Sequence, residues 1–248
     1  MTERAAPLLS LRGVAKRRES AGARFELRVE SLDVAAGERV ALVGESGSGK
    51  STLLDLLALA SAPDDAEAFA LATADGATDA AALWRDGDGD ALAALRARHV
   101  GYVPQTGGLF AFLNVFDNID LPRRLLGMAD DGTTAALARR LGVADHLRKK
   151  PAALSVGQRQ RVAIARALAH GPALVLADEP TASVDPATAD LVTELLLEQT
   201  AERGAALILA SHDWARIERL GLPRVAPEIE RRRDGDGVVV RSVFARTS

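Results

Sequence analysis

Between residues 44 and 52 the chain reads Gly44-Glu45-Ser46-Gly47-Ser48-Gly49-Lys50-Ser51-Thr52. These residue types in this order suit the holding of a phosphate. The glycines let the backbone curl until successive N–H groups converge on an anion. A helix starting at this point adds the positive end of its dipole. Lys50 supplies a cation for the terminal phosphates, and Ser51 a hydroxyl ligand for Mg²⁺. Three more polar groups follow apolar runs: Gln105, the pair Asp178-Glu179, and His212. A carboxylate at the end of a buried strand is fixed beside such a loop and can serve Mg²⁺, which is the reading for Asp178. Glu179, next in line, can polarise an attacking water.

That chemistry needs elements to carry it. Arg39 to Val43 is short, apolar and β-branched, as a buried parallel strand should be. Ser51 to Leu59 repeats leucine at helical spacing, so the loop sits between a strand and a helix. His99 to Val103, Ala173 to Ala177 and Ala206 to Ala210 read as further buried strands. Parallel strands bring their carboxyl ends to one edge of a sheet, where open α/β sheets bind ligands, and that edge would gather Gln105, Asp178, Glu179 and His212 with Lys50. Leu8 to Val14 and Arg24 to Val34 read as strands too, the second with the alternation of a half-buried antiparallel edge. From Thr106 to His170 the pattern is helical, with helices expected at 114–127, 133–141, 143–149 and 156–169. Ser155 is the N-cap of the last of these. Asp185 caps a helix that Pro186 opens. The helical block interrupts the strand–helix alternation and so reads as a subdomain set into a sheet domain.

The bounds on the rest are broad. The 248 residues are 48% apolar, enough for one α/β domain with a full core. A net charge of −3 gives no basic field for nucleic acid. With no cysteine, there is neither a disulfide scaffold nor a thiolate metal site. Nothing reads as a bilayer span, and Met1 to Arg4 lead into no secretory apolar core, so a cytoplasmic protein is expected. Asp86 to Asp90 alternates Asp with Gly. A calcium loop would need a bidentate Glu where Ala97 stands, so a solvated turn is expected, followed by a helix over 90–97. Arg231 to Arg233 could meet anionic lipid or a partner, but a solvated turn is the expectation.

Taken together, the motifs resemble those of ABC-transporter ATPase subunits. Leu154-Ser155-Val156-Gly157-Gln158 is similar to the family signature, and Leu176-Ala177-Asp178-Glu179-Pro180-Thr181 to its Mg²⁺ strand with the catalytic Glu. Ser183-Val184-Asp185 resembles the D-loop, Gln105 the Q-loop and His212 the switch histidine. The resemblance runs from about Leu8 to Ala215. It implies a P-loop NTPase (RecA-like) α/β core with an antiparallel β subdomain and an inserted α-helical subdomain. Residues 1–105 and 171–248 would form the nucleotide-binding core and 106–170 the helical part of a single domain. It implies ATP and Mg²⁺ as ligands. The loop Gly44 to Thr52 would hold the phosphates, Ser51, Gln105 and Asp178 would position Mg²⁺, and Glu179 would act as base. His212 would contact the γ-phosphate. Ser155, Gly157 and Gln158 would close over the ATP of a second, head-to-tail copy, with Asp185 relaying contact across the dimer. Arg18 would take the adenine-stacking position usually held by an aromatic; a guanidinium can also stack on a base. Val156 replaces the usual glycine of the signature.

The implied function is ATP hydrolysis that drives an integral-membrane permease, from the inner face of the cell membrane. Val115 to Gly127 is similar to the lipoprotein-release and macrolide-export branch; importer ATPases share most of these motifs. A rival is an ATP-driven regulatory or mechanical switch acting through a membrane partner without transport. Soluble ATPases of this family that act on DNA or ribosomes generally carry two ATP domains or a coiled-coil insert, and this chain shows neither, so no nucleic-acid partner is expected.

Overall fold

The two alternating segments near the start pair with each other, as β-rich amphipathic sequence should. In the computed structural model, which describes residues 6–20, 23–74, 76–234 and 237–246, β1 (Leu9–Ser20) runs antiparallel to β2 (Ala23–Val34), with Leu11 opposite Leu32 and Val14 opposite Val29. Met1 to Arg4, read above for a leader, lie outside the described residues. The chain continues through β3 (Arg39–Val43), α1 (Lys50–Leu57), β4 (Ala68–Thr73), β5 (Gly76–Asp79), α2 (Ala80–Asp86) and α3 (Gly89–His99). Then come β6 (Val100–Val103), α4 (Val115–Leu125), α5 (Thr133–Arg140), α6 (Val156–Leu168), β7 (Leu174–Asp178), α7 (Pro186–Glu202) and β8 (Ala206–Ser211). The last elements are α8 (Trp214–Arg219), β9 (Arg224–Val225), β10 (Glu228–Asp234) and β11 (Gly237–Arg246). None of the described helices is long and apolar enough to cross a membrane.

The chain divides into two compact units, Met1–Ala94 with Leu209–Ser248, and Leu95–Ile208. The first holds a six-stranded sheet in the order β10-β11-β2-β1-β4-β5. One face buries Leu9, Leu11, Leu27, Val29, Phe69 and Phe244. On the half-buried side Arg12 holds Asp33 through two hydrogen bonds of 2.8 and 2.5 Å. The strand β2 is interior rather than an edge, because β11 comes from the far end of the chain and pairs parallel to it, Val240 opposite Phe25. In the same unit β3 pairs parallel with β9.

The second unit contains the parallel pair β6 and β7, with Val100 opposite Leu174 and Val103 opposite Ala177. Helix α6 lies so close to β6 that a Cβ at Gly101 would stand 2.2 Å from the Ala167 carbonyl oxygen. Only glycine permits that approach. Asn118, fully buried on α4, accepts from the Phe110 N–H at 2.8 Å and donates to the carbonyls of Phe110, Leu113 and Asn114. One amide thereby satisfies four backbone groups of the connection that precedes α4.

Several expectations change. Residues 143–149 form only a 3₁₀ turn at Ala144–His146. The carbonyls of Leu147 and Lys149 accept from the Phe116 and Val115 N–H groups, orphan donors in the first turn of α4, so they are not spent on a helix of their own. The Ala/Asp-rich stretch contains the unanticipated α2, capped by Asp79 on the Ala82 N–H. The helix after the Asp/Gly turn is longer than 90–97 and includes His99. Arg231 to Arg233 are not a turn. They lie in β10 opposite Val238 to Val240, and the side chains of Arg231 and Arg232 are exposed.

Candidate phosphate site and signature helix

In the first unit the chain leaves β3 at Val43, curls through Gly44 to Gly49 and enters α1 at Lys50. Gly47 and Gly49 have φ of 79° and 92°, in the left-handed region that a side chain resists. A Cβ at Gly44 would stand 2.7 Å from Ser48 Oγ, and one at Gly49 would stand 2.8 Å from Phe25 Cζ. The loop is therefore tight on both flanks. Gly49 is the N-cap of α1 and no side chain caps that helix, so its first-turn amides are not consumed by a cap. Lys50 is buried, and its ammonium donates to the carbonyls of Gly44 and Glu45 at 2.7 and 2.9 Å. The loop's own dipoles thus hold a desolvated cation at the mouth where an anion would enter. Glu45, Ser46 and Ser51 are exposed, whereas Ser48 and Thr52 are buried.

Arg18 pairs with Asp55 of α1 at 3.5 Å and borders a cavity of about 430 Å³ whose walls also include Phe25, Glu26 and Arg241. Phe25 is a residue that sequence reading passed over. It is one of an alternating strand series, and only its contact with Gly49 sets it apart. His212 follows β8 and is exposed. Beside it, the Ser211 hydroxyl accepts from the Asp213 N–H, and Asp213 caps α8 on Arg216.

In the second unit Asp178 closes β7 and is buried, and Glu179 follows with φ of 43°. A left-handed glutamate costs of order 1 kcal/mol, and such strain gathers at functional positions. Gln105 follows β6 with its side chain exposed, and its carbonyl accepts from Gln160 Nε2 of α6 at 2.8 Å. Arg166 of α6 donates to the carbonyls of Gly107 and Gly108 at 3.0 and 2.7 Å. The segment that carries Gln105 is therefore tied to α6 by Gln160 and Arg166, which no local pattern announces.

The start of α6 is a capping box. The Ser155 hydroxyl accepts from the Gln158 N–H at 3.2 Å, and the Gln158 side chain accepts from the Ser155 N–H at 2.9 Å. The Gln158 amide also meets His146 Nε2 at 2.8 Å. A Cβ at Gly157 would come within 2.6 Å of Thr188 Cγ2, and the Thr188 N–H donates to the Asp185 carboxylate that caps α7. Ser155, Gly157, Gln158 and Asp185 are thus brought together by two helix starts in contact. The hydrogen bonds from Thr188 hold the Asp185 carboxyl below its ordinary pKa. Val156 is exposed at this corner.

Ser51 and Asp178 are hard oxygen donors of the kind Mg²⁺ takes. Among the described residues no group of three or more His, Cys, Asp or Glu forms a metal cage. Mg²⁺ does not require one, since it binds through one or two protein oxygens and fills its shell with phosphate and water.

The ABC transporter family matches residues 27–182. The chain is 39% identical to the lipoprotein-releasing system ATP-binding protein LolD of Novosphingobium aromaticivorans, over 87% of this chain and 92% of that protein. It is also 39% identical to the probable export ATP-binding/permease protein MacB of Pseudomonas entomophila, over 93% of this chain but only 32% of that longer protein. Its structure aligns with the dimeric post-hydrolysis state of an ATP-binding cassette bound to ADP and Pi, at a TM-score of 0.75 and 28% identity, covering 88% of this chain and 93% of the other. The chain thus has the mixed α/β fold of such cassettes.

Proposed function

The chain belongs to the ABC transporter family as an ATPase subunit, and on that premise we propose how its residues divide the work. The observation that carries the reading is the turn between β3 and α1, with Lys50 held on the carbonyls of Gly44 and Glu45. The backbone amides from Gly44 to Thr52, with Lys50, hold the β- and γ-phosphates of ATP. Ser51, Gln105 and Asp178 position Mg²⁺, whose charge offsets that of the phosphate oxygens. Glu179 orients the attacking water and takes its proton. His212 faces the charge that develops on the γ-phosphate. Arg18, with Phe25 beside it, lines the place of the base.

Ser155, Gly157 and Gln158 act on the nucleotide of a second copy packed head to tail, and Asp185 carries contact between copies. That the similar cassette is dimeric supports the pairing of two copies. Residues 1–105 and 171–248 act as the nucleotide-binding core and 106–170 as the helical subdomain that meets an integral-membrane permease. Phe112 and Leu125, 74% and 76% exposed, give that segment an apolar surface for contact. The protein sits on the cytoplasmic face of the membrane through that permease. The relatives, a lipoprotein-releasing and a probable export protein, support an exporter or lipoprotein-release system.

The test is Glu179→Gln. The variant keeps ATP binding, loses turnover by about 10²–10⁴-fold and accumulates an ATP-bound dimer in size-exclusion chromatography. Hydrolysis at the parental rate by Glu179→Gln overturns the assignment of the base.

A further inference from the structure

We infer that Ser242, on strand β11, is a positioning residue for the phosphate loop: it fixes the direction of the Gly49 amide from outside the nucleotide-binding motif. The inference rests on the reading of that loop as a phosphate site. Ser242 is fully buried, and its hydroxyl donates to the Ser48 carbonyl at 2.6 Å. A serine hydroxyl aimed at a buried carbonyl across a separation of 194 residues is a tertiary contact with one acceptor.

What that contact fixes follows from peptide geometry. The Ser48–Gly49 peptide is trans, as are all described peptide bonds. In a planar trans peptide the C=O and the N–H point in opposite directions. Holding the Ser48 carbonyl against β11 therefore aims the Gly49 N–H away from β11. Gly49 is the N-cap of α1, so that amide belongs to the set of donors a helix start offers to an anion. The residue that follows the carbonyl is crowded as well. Phe25 Cζ and Leu27 Cδ1 on β2 stand 2.8 and 3.2 Å from the position a Cβ would take at Gly49. Leu27 is the register partner of Ser242, and Phe25 that of Val240. The parallel pair β2–β11 thus acts on this one peptide from both strands. Its glycine, with φ of 92°, is the residue most able to rotate if released.

Without the hydroxyl, the Ser48 carbonyl has no donor on β11 and the peptide can rotate, so phosphate affinity falls while the catalytic residues stay intact. The experiment compares the full chain with Ser242→Ala and Ser242→Cys, measuring the Kd for ADP with Mg²⁺ by calorimetry, and KM and kcat for ATP. A hydrogen bond of this kind corresponds to about 5–10-fold. We expect Ser242→Ala to raise Kd and KM by that factor with a smaller change in kcat. Ser242→Cys, similar in size but a weak donor, falls between. Leu11→Val, a buried change on β1 away from the loop, lowers stability without moving Kd and so separates general destabilisation from positioning. A parental Kd in Ser242→Ala overturns the inference, whatever its melting temperature. If Ser242→Ala does not fold, a parental Kd in Ser242→Cys overturns it and a raised one supports it. Failure of the parent chain to bind ADP would instead overturn the phosphate reading beneath it.

Discussion

Two helix starts in this molecule solve the same problem differently. Helix α1 begins after a left-handed glycine with no side-chain cap, and a buried lysine leans back over the loop. Helix α6 begins with a complete capping box made by Ser155 and Gln158. Both ends carry the orphan amides that attract anions. In α1 no side chain takes them, and the loop before it is tight, with Phe25 crowding Gly49 and Ser242 bonded to the Ser48 carbonyl. In α6 the chain's own side chains satisfy two of the backbone donors at the helix start. On the proposed division of labour, the start that would hold the chain's own ATP leaves its donors open, whereas the one that would engage a second copy's nucleotide is capped by its own side chains.

That contrast can be broken at its uncapped side first. Lys50→Ala removes the ammonium and leaves the Gly44 and Glu45 carbonyls without their donor. We expect ATP affinity to fall by about 100-fold in calorimetry, the scale of charged hydrogen bonds lost together. An affinity within twofold of the parent would mean that the amides alone hold the phosphates. At the capped side, Ser155→Ala deletes half of the box. It should cost about 1 kcal/mol of stability, a fall in melting temperature of roughly 2–4 °C for a chain of this size, with the Kd for ADP in the monomer unchanged. Loss of monomer binding would contradict action on a second copy's nucleotide.

The smallest effect sharpens the contrast with a third helix start. The N-cap of α5, Gly132, is left-handed like Gly49, yet Asp131 accepts from the Thr133 N–H at 2.9 Å. Hydrogen bonds from Thr133, with help from Arg123, hold the Asp131 carboxyl down at about 2. A lowered pKa means that the ionised form is the one the fold favours. The contribution is therefore fully present above the ordinary carboxylate value near 4 and fades as pH falls toward about 2. Asp131→Asn should lower thermal stability slightly at neutral pH and equal the parent at pH 2. A constant difference between the two across that range would count against the cap.

What could be read from the sequence was local. The run Val40 to Val43 ending in glycine, Ser155 as an N-cap and Asp185 before Pro186 each announce an element within a few residues, and each stands where expected. The Ala/Asp-rich stretch hid α2, because alanine without apolar contrast gives no period. Three arginines have little strand propensity and form β10 only because Val238 to Val240 return beside them. At the candidate site the motif residues could be found by spacing, but their supports could not. Phe25, Gln160 and Ser242 act through contacts made 24, 55 and 194 residues away along the chain, from Phe25 to Gly49, Gln160 to Gln105 and Ser242 to Ser48.

The separation between Ser48 and Ser242 also has a meaning in time. Translation at about 5–20 residues per second places roughly 10–40 s between the synthesis of the loop and that of the strand that steadies it. During that interval β2 lacks its parallel neighbour and the Ser48–Gly49 peptide lacks its brace. A nascent chain arrested before β11 should therefore hold nucleotide poorly, and competence should arrive abruptly as β11 emerges.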